Sequence, residues 1–360
     1  MAQGYVADFS LALINRTGAY YVGRDLLGHV PGAFSGTRYW RLRRSREPQG
    51  LMRRLLGKAM LFELSHPALW PAFPRWDAAA SPGQRTLYLD PLYVLRSRLS
   101  SSDIVLCHDV GPVSMPQFFE PGTSALYRRA YEAISRARPG LVFVSKTSRT
   151  AFIEIFGSDF PFLEVIPLYV RPGCEGAEIK RPPGIEEPFL LTVGALELRK
   201  NYVRTIQAFN MSGLRERGYS YVFCGAQGNR TREIRDLVRR SPNVIELGYP
   251  SDAELRWLYR HASGFVLASL LEGFGMPALE AAQHGLLSVI SHDGALREAV
   301  GDTAVLVDPT KPESIAAGMA SIIDMSAPER TARLSDAKRH AADLTLDRYA
   351  TRWSDLLAAC

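Results

Sequence analysis

The chain has 360 residues, enough for two domains with full-sized cores, and a single small binding module is excluded. Hydrophobic residues make up 46% and charged residues 22%, so neither a disordered chain nor a fibrous repeat fits. The formal net charge of +6 is uneven: residues 1–185 hold 23 Lys and Arg against 15 Asp and Glu, and the remainder is slightly acidic. No nucleic-acid signature accompanies the excess, so nucleic acid is not an expected partner.

The first ten residues, MAQGYVADFS, lack a basic start followed by an apolar stretch, and no signal peptide is expected. The longest apolar runs, such as Gly264 to Leu271, are far shorter than the roughly 18 residues of a spanning helix. An apparent first strand is followed by Thr17, Gly18 and a helix expected to begin near Tyr20. Between Arg38 and Lys58, the basic residues Arg38, Arg41, Arg43, Arg44, Arg46, Arg53, Arg54 and Lys58 interleave with Tyr39, Trp40, Leu42, Leu51, Met52, Leu55 and Leu56. Two readings stand for this stretch: a device that lies on an anionic bilayer, at about 1 kcal/mol per basic residue, or a solvated loop and helix face.

Further along, Ile104 to Cys107 and Leu141 to Val144 read as short buried strands, with a helix from Ser124 to Arg138 between them. Arg171 to Pro188 is rich in Pro, Gly and charge and reads as an interdomain linker. After it, strands at Phe189 to Val193, Tyr221 to Cys224, Val244 to Leu247, Gly264 to Ala268 and Leu287 to Ile290 alternate with helical segments. Short buried strands alternating with helices make βαβ units and a parallel sheet. The expected fold is therefore α/β, with two Rossmann-like doubly wound domains, 1–178 and 185–345, facing across a cleft at the carboxyl ends of their strands. Asp347 to Cys360 has Tyr349, Trp353, Leu356 and Leu357 near the period of an amphipathic helix. Cys107, Cys174, Cys224 and Cys360 are scattered, which excludes a Cys-x-x-Cys metal site and fits a reducing cytoplasm.

The sharpest local signal is ASLLEGFGMPALEAAQHG, which leaves a strand and enters a helix through Gly273, Phe274, Gly275, Met276 and Pro277. Proline suits a first helical position, and Gly285 suits the stop. A glycine-bearing loop at a helix N-terminus offers free amides and a positive dipole end to a phosphate or sugar hydroxyl. Glu272 stands before this loop and Glu280 after it, placed to accept hydrogen bonds from hydroxyl groups. On spacing alone, an ordinary strand-to-helix turn with a solvated glutamate pair remains an alternative.

Together with SVISHDGALREAVGDTAVLVDP, the run from Glu272 to Glu280 resembles the signature of the retaining nucleotide-sugar glycosyltransferases of family 4, which have the GT-B fold of two Rossmann-like domains. TVGALELRKNYVRTIQAF is similar to the family's donor-diphosphate motif, and GYPSDAELRWLYRHAS to the segment before its glutamate motif. LCHDVGP, FVSKTSRTAF and VIPLYV resemble the N-domain motifs more loosely.

The resemblance implies roles for individual residues. Lys200 matches the lysine that neutralises the departing diphosphate, where a cation stabilises developing charge. Arg199 stands beside it and replaces an arginine that many members carry directly after the motif's glycine, where this chain has Ala195 after Gly194. Glu280 matches the ribose-binding glutamate and Glu272 the one beside the transferred sugar, with the amides of Phe274, Gly275 and Met276 toward sugar and phosphate. Thr17 and Gly18 resemble the glycine loop under the diphosphate, and His108 matches a histidine near the reacting sugar. Tyr249 is a candidate for stacking on the base.

No metal or other cofactor is expected, because Asp252-Ala253-Glu254 is better explained by a capping box from Ser251 to Glu254. The implied activity is retaining transfer of a hexose from a nucleotide diphosphate sugar to a glycan or lipid-linked acceptor in surface-polysaccharide assembly. That points to the cytoplasm or the inner face of the plasma membrane. The VGxLExRKN form looks like that of O-antigen and capsule mannosyl- and rhamnosyltransferases, which makes GDP-mannose or dTDP-rhamnose the first donors to consider. Alternatives are a nucleotide-sugar 2-epimerase or sugar phosphorylase on the same fold, or a non-catalytic sugar-nucleotide-binding protein. In GT-B enzymes the final helix commonly returns to the N-domain, so Trp353 is expected to pack there.

Overall fold

A computed structural model describes residues 4–14, 16–66, 68–69, 83–171, 176, 178–292 and 294–360; Cys174 lies outside the described residues. The chain divides into two compact units, Met1–Pro167 with Asp347–Cys360, and Leu168–Leu346. The division falls between Pro167 and Leu168, ahead of the Pro- and Gly-rich stretch read as the linker. Backbone pairing explains the difference: Val170 N–H donates to Leu344 O within the second unit.

The first unit is built on a seven-stranded sheet. Its elements are β1 (Tyr5–Asp8), α1 (Gly18–His29), β2 (Phe34–Tyr39), β3 (Leu42–Arg44), α2 (Gly50–Ser65), β4 (Thr86–Tyr88), β5 (Ile104–Cys107), α3 (Gly111–Ser114), α4 (Pro121–Ala137), β6 (Gly140–Phe143), α5 (Lys146–Phe156) and β7 (Leu163–Val165). The strand order is β3-β2-β1-β4-β5-β6-β7, parallel except for the β2–β3 hairpin at one edge. All four residues of β5 and of β6 are buried, as expected of central strands covered on both faces. α1 opens at Gly18, two residues before the expected start, with Thr17 in extended conformation at its N-cap.

The second unit has a six-stranded parallel sheet in the order β10-β9-β8-β11-β12-β13. It comprises β8 (Phe189–Val193), α6 (Tyr202–Met211), β9 (Ser220–Cys224), α7 (Thr231–Val238), β10 (Val244–Glu246), α8 (Asp252–His261), β11 (Gly264–Leu267), α9 (Met276–Gln283), β12 (Ser288–Ser291), α10 (Gly294–Val300), β13 (Val305–Val307), α11 (Pro312–Asp324) and α12 (Ala327–Ala341). Its core joins Leu190, Phe223, Val266 and Val289 from the sheet to Ile206 and Phe209 of α6 and Ile315, Met319 and Ile322 of α11. β8 and β11 are neighbours, in register at Gly264 with Leu190. From this pair the strand order runs outward in both directions, so the unit has a topological switch point between β8 and β11. Ser251 and Glu254 close a reciprocal capping box on α8.

The last helix, α13 (Leu346–Ala359), lies almost wholly in the first unit, where Tyr349, Trp353 and Leu357 are buried. Arg85 donates to the backbone oxygen of Cys360 at 2.7 Å, which ties the end of the helix to the start of β4.

The stretch from Arg38 to Lys58 is not uniformly a surface. Arg38, at the end of β2, is buried and holds Asp8 of β1 at 2.9 Å. Arg41 donates to the buried Glu63 of α2 at 2.8 Å, and the Trp40 indole N–H donates to the same carboxylate at 3.0 Å. These two arginines hold the fold together and are not available to a bilayer. Among the described residues, no helix is long and apolar enough to cross a membrane.

Candidate active site

In parallel α/β sheets, ligands bind beyond the carboxyl ends of the strands at the switch point. In the second unit that position is filled by the segments leaving β8 and β11. The chain leaves β8 through Gly194, and Leu196 N–H donates to Ala226 O after β9. A short 3-10 turn, Leu198–Lys200, follows. Asn201 ends this turn in the left-handed region, with φ of 61°, and its side chain donates to Ala268 O and Pro309 O at 2.9 and 2.7 Å. That anchoring fixes Arg199 and Lys200 against the β11 loop, directly before α6.

Lys200 Nζ lies 2.6 Å from Glu272 Oε1, and Arg199 Nη1 lies 3.2 Å from Glu272 Oε2. Ser269 Oγ donates to Glu272 Oε1 at 2.7 Å. Lys200 and Glu272 are both buried. Burial alone would raise the Glu272 carboxyl, but Lys200 and then Arg199 pull it below its ordinary value. Burial also draws the Lys200 ammonium down, against the attraction of Glu272. Two cations therefore converge on one carboxylate at the switch point, in a place where a more highly charged anion would bind both.

After Glu272 the chain turns through Gly275 into α9. Gly275 has φ of 104°, and a Cβ there would come within 2.5 Å of Leu296 Cδ2, so both conformation and space require glycine. Met276 is the first helical residue and Pro277 the second, one place later than expected; neither of these early positions needs an N–H partner within the helix. The Phe274 side chain is buried and packs the loop. Glu280, one turn into α9, is buried and receives the Tyr259 hydroxyl at 3.0 Å on Oε2, while Arg171 Nε stands 3.2 Å from Oε1. Tyr259 is held in turn by stacking on His284, with ring centroids 5.2 Å apart. Tyr249, beyond β10, is 73% exposed.

In the first unit, Gly18 begins α1 and His108 directly follows β5. His108 Nε2 makes a 3.0 Å hydrogen bond with Leu89 O. Beside it stands Asp90, which accepts from Leu92 N–H at 2.8 Å and from the Tyr127 hydroxyl at 3.1 and 3.0 Å on its two oxygens. Burial raises the Asp90 carboxyl above its usual range despite the opposing influence of His108. Asp109 Oδ1 accepts from Gly111 N–H and opens α3.

Asp90, Tyr127, Arg171, Tyr259 and Ser269 escape reading from the sequence. Ser269 and Tyr259 sit inside recognisable motifs; the others are joined to their partners only by the fold. Among the described residues, no three His, Cys, Asp or Glu side chains gather as a metal ion would need.

Residues 177–341 match the family model described as glycosyl transferases group 1. The chain is 29% identical over 283 residues to the O-antigen chain mannosyltransferase B of Escherichia coli, covering 72% of each protein. It is 29% identical over 271 residues to a glycogen synthase of Mycobacterium tuberculosis, covering 70% of this chain and 64% of that one. Among solved structures, a UDP-forming trehalose-phosphate synthase of Burkholderia xenovorans in complex with glucose-6-phosphate superposes with a TM-score of 0.69 at 15% identity, covering 98% of this chain and 99% of that one. The trehalose-6-phosphate enzyme of Escherichia coli bound with UDP-2-fluoro glucose gives 0.64 at 14% identity, over 93% and 85%. The second unit thus carries a glycosyl transferases group 1 domain, and the chain is a glycosyltransferase with the GT-B fold.

Proposed function

We propose that the protein transfers mannose, with retention of configuration, from a nucleotide diphosphate mannose to a glycan acceptor in surface-polysaccharide assembly. The observation that carries this reading is the convergence of Lys200 and Arg199 on Glu272 at the β8–β11 switch point. In this reading the donor diphosphate takes over the two cations and the amides at the start of α9. Glu272, released from them, accepts a hydroxyl of the transferred sugar, and Glu280 accepts the ribose hydroxyls. The bond from the anomeric carbon to the diphosphate oxygen breaks, the acceptor oxygen bonds that carbon on the same face, and the acceptor proton passes to the leaving diphosphate.

The mannosyltransferase relative supports mannose over rhamnose, and the resemblance of the Glu272 to Glu280 motif supports retention. The test is incubation of the full chain with GDP-mannose, dTDP-rhamnose and a mannose-terminated acceptor, with product configuration read by NMR. An α-linked mannoside from GDP-mannose, lost in Lys200→Ala, is expected. A β-linked mannoside from GDP-mannose would overturn retention, and sugar conversion without acceptor would favour an epimerase.

A further inference from the structure

We infer that the outward face of α2 is a docking surface for an anionic lipid bilayer. α2 is attached to the first unit along a narrow stripe of Gly57, Met60, Glu63 and Leu64, its buried residues. The attachment is close: a Cβ on Gly57 would come within 2.9 Å of Leu13 O. A surface helix held along one side ordinarily turns polar residues to water. Here the opposite side is apolar as well. Leu51, Leu55 and Phe62 recur at spacings of four and seven, which places them along one line of the helix surface. They are 71%, 58% and 52% exposed, with Met52 and Leu61 exposed at the flanks.

The charges on this face have one sign. Arg54 and Lys58 are exposed beside the apolar line, and the β2–β3 hairpin adds exposed Arg43, Arg44 and Arg46. Arg44 reaches the helix, with Nη1 at 2.8 Å from Met52 Sδ. The sole acid of α2, Glu63, is buried and bound to Arg41 and Trp40. An apolar line flanked by long cationic side chains and lacking any exposed carboxylate complements an interface of acyl chains beneath anionic headgroups. Leu51, Leu55 and Phe62 enter the acyl boundary, and the arginine and lysine stems lie along it with their charges at the headgroups. A protein partner with an acidic groove, or a second copy of the chain, is the competing occupant, and the test separates both from the bilayer.

The experiment is sedimentation of the full chain with vesicles of phosphatidylcholine alone or mixed with phosphatidylglycerol, at low and high salt, with no sugar substrate present. It therefore stands independently of the transfer reaction. Binding only to the mixed vesicles, weakened by salt, is expected. Each basic residue near the surface contributes about fivefold in partition, so replacing Arg44, Arg46, Arg54 and Lys58 with Ser should reduce binding at least about a hundredfold. Leu51→Ser with Phe62→Ser should reduce it at constant charge. All six residues are exposed, so circular dichroism melts should match the wild type. Failure of the unmodified chain to sediment with anionic vesicles at low salt would overturn the proposal. So would a dimer in sedimentation velocity that Leu51→Ser with Phe62→Ser dissolves, since a second copy would then own the face.

Discussion

Lys200 and Glu272 are 72 residues apart in the chain, yet the ammonium and the carboxylate meet at 2.6 Å inside the second unit. Removing Glu272 leaves the Lys200 ammonium buried without its carboxylate, at a cost of about 3–5 kcal/mol. Removing Lys200 costs less because Glu272 keeps Arg199 and Ser269, and replacing both with apolar residues of similar volume costs less still. Urea unfolding of Glu272→Gln, Lys200→Met and the double variant should show this coupling. Strictly additive losses would mean that the pair contributes no mutual stabilisation.

The same pair sets a pH dependence. In the fold, the Glu272 carboxyl lies below its ordinary value of 4.5, so its contribution to stability is fully present above that value and fades as pH falls through the folded value. The stability gap between wild type and Glu272→Gln should therefore narrow at the acid end of a series run from neutral pH downward. A gap of constant size would place the stabilisation in packing instead of charge.

Glu280 offers two carboxylate oxygens whose plane is held by Tyr259 and Arg171. A hydrogen bond to a charged group is worth about 1.5–3 kcal/mol, so Glu280→Ala should weaken binding of a nucleoside diphosphate by roughly 10- to 150-fold. The loss should vanish for the 2′,3′-dideoxy nucleotide. An equal loss for both nucleotides, measured by calorimetry, would remove Glu280 from the ribose.

Gly225 follows β9, and a Cβ there would fall within 1.9 Å of Gly194 O, at the start of the loop that carries Arg199 and Lys200. Gly225→Ala should destabilise by about 1–3 kcal/mol or more, as overpacking does, and should weaken nucleotide diphosphate binding by displacing that loop. Gly213→Ala is the control. Its φ of 74° imposes backbone strain, but a Cβ there would meet nothing within 4 Å, so nucleotide affinity should be unchanged.

The central strands, such as Ile104–Cys107 and Phe189–Val193, were legible because they are short, apolar and buried almost throughout, whereas β2, β3, β4, β7 and β13 went unread, most of them partly or wholly exposed. The helix starts slipped where capping was not done by side chains, as at Thr17. Arg38 read as a surface charge because its partner, Asp8, lies on a neighbouring strand 30 residues away, and period-based reading sees only local neighbours. Arg171 fell in a stretch read as linker, while its guanidinium reaches Glu280 in α9. In the candidate site, loop residues inside a motif were legible one by one. The convergence of two of them on one carboxylate required the β8–β11 pairing to be known.

The course of α13 bears on how the chain is made. Trp353 is 0% exposed, within a unit whose other residues precede Leu168. During synthesis, the first unit to emerge waits without its tryptophan until the whole of the second has been translated. The unit completed last is thus the one begun first, and a premature stop between Leu346 and Trp353 would leave an aromatic-sized gap in the first unit.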